Sequence, residues 1–422
     1  MLSFLLRSAR ACALAPLCLA ALSLPAYADS PLTLQQAVER ALERNPDLAA
    51  FEYEMQAQQG VLQQSRAHPS PEVGLLVENA FGSGRRSDFD AAETTLSLGF
   101  AIERGARQRR IDVATAGSEQ LAVEKRIQRL DVAAEAARRF VTVLERQQAL
   151  DDPRNATQLV EETVKAVQAR VRAAKVPAAE EARASAQLAR VRLDQEHAEH
   201  QLASARVRLA ALWGAAQADF GEAQGALLAL PALEPFETVH ERITSNTDFE
   251  RLVSEKRVRE AELRLAQMRA KPPWHVTTGV RRFEDEDDYA LVVGITVPLP
   301  SRESAKGAIA EARARSSQVD AQTQAQRARL EAELFALYQE LNHSYKEVGT
   351  LQQDVLPRME SALEQSRYAY ERGRYGYIEW VTAQRELLEV RRALLEASAQ
   401  LHQFRIEIER LTGTALGVEP RK

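Results

Sequence analysis

One segment occurs twice in the chain: VRAAKVPAAEEARASAQLARVRLDQEHAEHQLASARVRLAALWG at Val171–Gly214 and YERGRYGYIEWVTAQRELLEVRRALLEASAQLHQFRIEIERLTG at Tyr370–Gly413. The two copies align without a gap. Identical residues that fall on each other include Leu188 and Leu387, Val191 and Val390, Arg192 and Arg391, Leu212 and Leu411, and Gly214 and Gly413. Because a repeated sequence predicts a repeated structure, the same order of helices and strands is expected in both copies.

The beginnings of the two copies match more loosely. Asn45-Pro46-Asp47 resembles Asn246-Thr247-Asp248, and Ala67-His68-Pro69 resembles Ala270-Lys271-Pro272. Chance similarity between alanine-rich helices is the alternative, and the shared order of the elements argues against it. We therefore predict a first structural repeat over residues 29–214, a linker over 215–239, a second repeat over 240–413 and a short tail over 414–422.

Each repeat is predicted to consist of a helix, two strands and a long helical hairpin. Residues 34–67 carry apolar residues at helical spacing and end before Pro69. Asp151-Asp152-Pro153 interrupts the helical sequence over 108–172, and Pro357 interrupts it over 305–372. A helix over 104–172 would be roughly 100 Å long at about 1.5 Å per residue. Alanine-rich seams in helices of that length favour coiled-coil packing.

Four strands are predicted where apolar residues alternate with small or polar ones, at about 71–82, 91–103, 273–283 and 288–299. Each is about ten residues long, the length of a tilted strand that crosses a bilayer. Half-buried strands of a soluble sandwich give the same alternation, so the strands alone leave both interpretations open. In lipid, four strands cannot close a barrel with a polar interior, and an open edge is not tolerated. Several protomers would then have to share one barrel.

The N-terminal residues 1–28 are predicted to be a cleaved signal peptide. Arg7 and Arg10 precede an apolar stretch over 11–24, and Ala26-Tyr27-Ala28 supplies the small-x-small pattern of a cleavage site. The alternative, a membrane anchor, requires a longer apolar run. Both cysteines, Cys12 and Cys18, lie in this segment, so disulfides and thiol chemistry are not expected in the mature chain.

Composition and motifs exclude several classes of function. The chain has 422 residues and a formal net charge of −5, so it lacks the basic excess that a nucleic-acid partner requires. The sequence has no phosphate-binding glycine loop, HExxH helix or Gly-x-Ser-x-Gly elbow. Neither an enzyme nor a bound cofactor is predicted.

The sequence resembles the TolC-like outer-membrane factors of tripartite efflux pumps. The specific parts are Leu32-Thr33-Leu34-Gln35-Gln36-Ala37 followed by Asn45-Pro46, and Tyr370-Glu371-Arg372-Gly373 followed by Ala383-Gln384. Within that family, residues 71–73, 77–79 and 92–98 are similar to the CzcC-like branch that serves heavy-metal exporters.

The resemblance implies an α+β membrane protein with a long α-helical coiled-coil barrel and a transmembrane β-barrel, which three protomers share with four strands each. It also implies a passive conduit in the outer membrane of a Gram-negative bacterium, with a long periplasmic extension. The implied partners are a periplasmic adaptor, an inner-membrane resistance-nodulation-division transporter and outer-membrane lipid. The implied cargo is divalent heavy-metal cations.

Alternatives to this function stay open. The same conduit would suit drug efflux or type I protein secretion. A periplasmic adaptor also carries a long helical hairpin, but it needs lipoyl-like β-domains beside a single hairpin, whereas this chain has two. A soluble coiled-coil scaffold would lack both the signal peptide and the strands.

The resemblance assigns candidate site residues to the turns of the two hairpins. Adaptor contacts are expected at Arg172, Lys175, Arg372, Gly373, Tyr375 and Tyr377, because this turn forms the periplasmic tip in the family. A pore constriction is expected at Glu180, Glu379 and Thr382, where an acid is present at the first family position and absent at the second. The alternatives are packing between hairpins for the aromatic residues and solvated helix-start acids for the glutamates.

A histidine pair and an acidic loop suggest binding of cations, and each also has a simpler explanation as an ordinary surface feature. His197 and His200 lie three residues apart on a predicted helix, which supplies half of a metal site. The acidic loop over 284–288 would attract cations, but charged loops of this kind are common.

Overall fold

The structure is a computed structural model that describes residues 30–299 and 302–414. The predicted signal peptide and residues 415–422 of the predicted tail lie outside the described residues. The helices are α1 (Leu34–Arg44), α2 (Pro46–Arg66), α3 (Ala106–Ala149), α4 (Asp151–Arg172), α5 (Ala178–Ala210), α6 (Phe236–Glu241), α7 (Thr247–Gln267), α8 (Arg302–Thr350), α9 (Leu356–Glu371) and α10 (Tyr377–Thr412). The strands are β1 (Leu32–Thr33), β2 (Glu72–Glu78), β3 (Glu93–Ile102), β4 (Ala223–Gln224), β5 (Trp274–Phe283) and β6 (Asp288–Thr296).

The helix predicted over 34–67 is two helices, because Asn45 ends α1 and begins α2. Its backbone is extended, with ψ of 127°, as expected for a residue before proline. The Asn45 side chain accepts hydrogen bonds from the backbone N–H groups of Asp47 and Leu48. It also donates through Nδ2 to the carbonyl of Leu212, at 2.9 Å. One buried side chain thus joins the start of the first half to its end.

Asn246 repeats this arrangement in the second half. Its side chain accepts a hydrogen bond from the Asp248 backbone N–H at 2.7 Å and donates to the Leu411 carbonyl at 2.7 Å. Asn45 and Asn246 are 4% and 1% exposed. In each half, a buried asparagine therefore caps a helix near the start of the repeat and also bonds to a backbone carbonyl near its end.

The long helices are interrupted close to the predicted breakers. α3 ends at Ala149, and α4 begins at Asp151. Before Pro357, the five residues Leu351–Val355 form a turn of π-helix between α8 and α9. Proline has no backbone N–H and disturbs the preceding turn, which explains why the break precedes it.

The predicted linker is packed against the helical body. β4 pairs in parallel with β1 at the start of the chain. Phe220 and Leu227 are buried in the main core together with Phe140 and Leu209. The ring of His402 on α10 lies with Nε2 3.0 Å from the Leu227 carbonyl oxygen, and burial lowers the pKa of this histidine despite that contact.

The four longer strands form one antiparallel sheet in the order β2-β3-β5-β6. All four lie within the predicted segments. β2 ends at Glu78 rather than near residue 82, because Asn79 and Phe81 have φ of 59° and 57° and begin a loop. The pairing of β3 with β5 joins the two halves.

Among residues 30–299 and 302–414, none of the helices is both long enough and apolar enough to span a membrane.

Candidate functional site

The turns of the two long hairpins have the same backbone geometry. Ala174 and Gly373, which are equivalent in the repeat, have φ of 53° and 72°. In each turn, a backbone N–H bonds back to a helix carbonyl at 2.9 Å, from Lys175 to Arg170 and from Arg374 to Ala369. A left-handed conformation costs a non-glycine residue about 1–2 kcal/mol, so Ala174 carries a strain that Gly373 avoids.

Aromatic side chains connect the two tips. The Tyr370 ring stacks on Trp380, with ring centroids 5.1 Å apart and an interplanar angle of 20°. Arg170 on the first hairpin donates through Nη1 to the Tyr370 hydroxyl at 3.1 Å. The Arg372 guanidinium lies over the Tyr368 ring, 4.8 Å from its centroid. Sequence reasoning missed Arg170, whose only signal was its place in the last turn of a helix.

The residues predicted to contact an adaptor lie on an exposed surface. Arg172, Lys175, Arg372, Gly373 and Tyr375 are all exposed, with Tyr375 at 51%. The side chain of Tyr377 lies outside the described residues. In the described part of the chain, none of the three cations in this set has an ion-pair partner. The tip therefore presents uncompensated positive charge beside aromatic rings.

The residues predicted to constrict a pore lie at the starts of α5 and α10. Glu180 and Thr382 are half-buried, and Glu379 is exposed. A Cβ added at Gly376 would stand 2.8 Å from the Glu379 carboxylate oxygen. The carboxylate thus lies over the N-terminus of its own helix, where an acid is favourable. This position fits the interpretation of a helix-start acid.

The histidine pair lies on the surface of α5. His197 and His200 are exposed on α5, and His197 Nε2 lies 2.7 Å from the side-chain nitrogen of Gln201. Across residues 30–299 and 302–414, no group of three or more His, Cys, Asp or Glu side chains is arranged to hold a metal ion.

Ion pairs brace the hairpins at equivalent positions. Arg192 pairs with Glu161 at 2.7 Å, and its repeat equivalent Arg391 pairs with Glu360 at 3.1 Å. Arg391 also reaches Asp152 on the first hairpin, at 3.2 Å. Burial opposes the charge of Arg391, but hydrogen bonds to the two carboxylates outweigh it and raise the pKa. The second hairpin is therefore tied to the first by this arginine.

One face of the four-stranded sheet is apolar and exposed. A row across it consists of Leu75, Leu96, Val280 and Leu291, in register on the four strands. These four side chains are between 50% and 74% exposed. Further exposed members of this face are Val73, Val77, Leu98, Phe100, Ile102, Val293 and Ile295. A soluble sandwich would cover such a face, whereas a contiguous exposed apolar surface indicates an interaction or membrane surface.

The opposite face of the sheet consists mainly of small and polar residues, together with Leu76, Phe283 and Val292. Arg281 on β5 donates to the Thr95 hydroxyl at 2.9 Å, to Glu93 at 2.7 Å and to Glu78 at 2.8 Å. The Asn79 amide donates to the other oxygen of Glu93, at 2.8 Å. This network crosses the junction between the two halves. The alternation of polar residues placed these side chains on one face but did not predict their pairing.

Comparisons with known proteins agree on the class of the chain. The family model described as outer membrane efflux protein matches residues 37–215 and 275–414. The cobalt-zinc-cadmium resistance protein CzcC of Cupriavidus metallidurans is 30% identical over 277 residues, which are 65% of this chain and 65% of that protein. The nickel-cobalt-cadmium resistance protein NccC of Alcaligenes xylosoxydans xylosoxydans is 28% identical over 242 residues, 56% of this chain and 54% of that protein. The matched part therefore spans less than two thirds of either relative.

The fold matches a solved structure over most of its length. The outer membrane protein VceC from Vibrio cholerae superposes with a TM-score of 0.72 at 18% identity, covering 91% of this chain and 96% of that chain. At this identity, the likeness concerns the fold alone.

Proposed function

The chain belongs to the outer membrane efflux protein family, and from this we propose that it is the outer-membrane channel of a tripartite efflux system. In this role it is a passive conduit from an inner-membrane transporter and a periplasmic adaptor to the cell exterior. The observation that carries the proposal is the sheet, which has one exposed apolar face and one face of mainly small and polar residues and is joined to a long helical body. Lipid on the outside and water on the inside require such a division of faces.

The edges of the sheet support an assembly in which several protomers share one barrel. β2 and β6 are the outer strands of the order β2-β3-β5-β6. Each unpaired backbone N–H or C=O group costs roughly several kcal/mol in lipid. The edge strands of a sheet that lies in a membrane must therefore be paired. Pairing of β2 in one protomer with β6 in the next closes a barrel, and three protomers with four strands each give a water-filled pore.

The tips are proposed to dock the adaptor. The guanidinium of Arg372 lies over the Tyr368 ring, and Arg172 and Lys175 are exposed on the first tip. Arg and Tyr are typical anchors of interfaces. Gly373, Tyr375 and Tyr377 belong to the same proposed surface. The proposal favours acidic side chains on the partner.

A pore constriction at Glu180, Glu379 and Thr382 remains a proposal. Three copies of Glu379 in a narrow aperture would favour cations. The variant Glu379→Gln tests this in planar bilayers, where weaker cation selectivity and weaker block by divalent ions are expected. Identical selectivity in the two proteins would leave Glu379 as a helix-start acid only.

Divalent heavy-metal cations are the proposed cargo. The names of the two relatives, resistance proteins for cobalt, zinc, cadmium and nickel, support this choice. Deletion of the gene should sensitise cells to such a metal more than to hydrophobic drugs, and the wild-type gene should restore tolerance. Unchanged metal tolerance with increased drug sensitivity would contradict the metal cargo and favour a drug-efflux conduit.

A further inference from the structure

Four exposed cations lie where the strands of the sheet join the helices. They are Arg66, Arg104, Arg269 and Lys271, which we call the basic collar. Arg66 ends α2, Arg104 follows β3, and Arg269 and Lys271 lie between α7 and β5. In the described part of the chain, none of the four has an ion-pair partner.

Two acidic side chains at this end of the sheet, Glu103 and Asp112, are paired with arginines of α3. Glu103 bonds to Arg110 at 2.9 Å, and this bond lowers the pKa of the glutamate. Asp112 pairs with Arg109 at 3.0 Å. These carboxylates therefore do not neutralise the collar.

Backbone and side-chain contacts hold the collar together as one patch. Arg104 Nη2 donates to the Pro272 carbonyl at 3.4 Å, which joins the end of β3 to the start of β5. The Nε of Arg107 donates to the Arg66 carbonyl at 2.7 Å, which joins the end of α2 to the start of α3. The junctions of both halves with the sheet thus lie side by side.

An aromatic residue marks where the collar meets the apolar face. The Arg104 guanidinium lies 4.9 Å from the centroid of the Trp274 ring. Trp274 is in register with Ile102 at the end of the apolar face, and the two are 38% and 49% exposed. Tryptophan and long cationic side chains are typical of the boundary between the apolar and headgroup regions of a bilayer.

The opposite end of the sheet has the opposite charge. The loop between β5 and β6 contains Glu284, Asp285, Glu286 and Asp287, and Asp288 begins β6. Arg282 pairs with two of these acids, Glu284 and Asp287. Arg85 and Arg86 in the loop between β2 and β3 are outnumbered by the acids of the two loops, so this end of the sheet is net acidic, whereas the collar end carries four cations without ion-pair partners in the described residues.

We propose that the basic collar binds the phosphate headgroups of anionic phospholipids in the leaflet next to the helical body. Arg104 and Trp274 lie at the lipid boundary, where a guanidinium forms bidentate hydrogen bonds to phosphate. Cationic side chains near an anionic bilayer surface are attracted to it, and the collar supplies four of them. The proposal rests on the proposed function, because the collar meets lipid only if the sheet lies in the membrane.

The test uses tryptophan quenching by brominated lipids in the full chain, reconstituted into phosphatidylcholine vesicles. Of the three tryptophans, Trp274 is on the sheet, Trp213 is 5% exposed in the helical core and Trp380 is at the hairpin tip. Brominated phosphatidylglycerol and brominated phosphatidylcholine are compared at the same low mole fraction. We expect quenching by the anionic lipid to be about two-fold larger, and to be lost in Trp274→Phe.

Variants assign the effect to the collar. The double variant Arg104→Gln/Lys271→Gln should reduce the excess quenching by phosphatidylglycerol to near zero, and Lys271→Gln alone, at an exposed position, should reduce it partly. Arg329→Gln removes an exposed cation of α8 far along the helix and should leave the excess unchanged. Equal quenching by the two lipids, or an excess that persists in both collar variants, would overturn the inference and leave the proposed function standing. No quenching by either lipid would contradict the proposed function itself.

Discussion

The two hairpin tips share a backbone and differ in chemistry. Both turn through a left-handed residue and close with the same hydrogen bonds. The second tip has Tyr368, Tyr370, Tyr375 and Trp380 where the first has Ala169, Val171, Val176 and Glu181. Duplication therefore preserved the fold of the tip, while the aromatic surface is confined to one copy. Any aromatic docking surface belongs mainly to the second tip.

The largest effect is expected from the asparagines that both halves share. Asn45→Ala and Asn246→Ala each remove a helix cap and leave a buried carbonyl without its donor. Each should cost about 2 kcal/mol of unfolding free energy. Thermal melts followed by the helical circular dichroism signal measure the loss. A loss in only one of the two variants would contradict the equivalence of the halves.

The equivalent arginines Arg391 and Arg192 should differ in how much they contribute to the free energy of unfolding. Arg391→Gln removes ion pairs to Glu360 and to Asp152 of the other hairpin, from a side chain that is 37% exposed. Arg192→Gln removes one pair from a side chain that is 60% exposed. We expect about 1 kcal/mol for Arg391 and less than about 0.5 kcal/mol for Arg192 in unfolding free energy. Equal losses would mean that the link between hairpins contributes nothing.

The left-handed turn residues should respond with opposite signs. Gly373→Ala places a side chain at φ of 72° and should destabilise by about 1 kcal/mol. Ala174→Gly relieves the same strain in the first tip, partly offset by greater freedom of the unfolded chain, and should be slightly stabilising. Thermal melts of both variants in the same detergent provide the comparison. Destabilisation by Ala174→Gly would show that the first turn is not strained.

The smallest effect concerns His402 between α10 and the linker. Its pKa is lowered in the folded state, mainly by burial, so the unfolded chain takes up the proton first as the pH falls. The stability due to neutral His402 is full above about pH 6.5 and is lost as the pH falls through the folded pKa. His402→Gln should therefore show a smaller decrease in melting temperature between about pH 7.5 and pH 5 than wild type. Parallel pH profiles would exclude a role for this histidine.

The sequence predicted the family, and the family is confirmed. Alternation located all four strands of the sheet, because exposed apolar and polar faces leave a period of two in the sequence. It did not predict the π-helical turn before Pro357 or the division of the first helix at Asn45, since both depend on local backbone geometry. The pairing of Arg281 with Glu78 and Glu93 was also missed, because it joins residues that are about 200 positions apart and requires the register of β3 with β5.

We propose that the sheet forms part of a barrel that several protomers share in a membrane. Sedimentation equilibrium of the full chain in mild detergent, with strand content measured by infrared spectroscopy on the same sample, tests it most directly. We expect a trimer that keeps its strands. A monodisperse monomer with the same strand content would contradict it, because its two sheet edges would then be stable without partners.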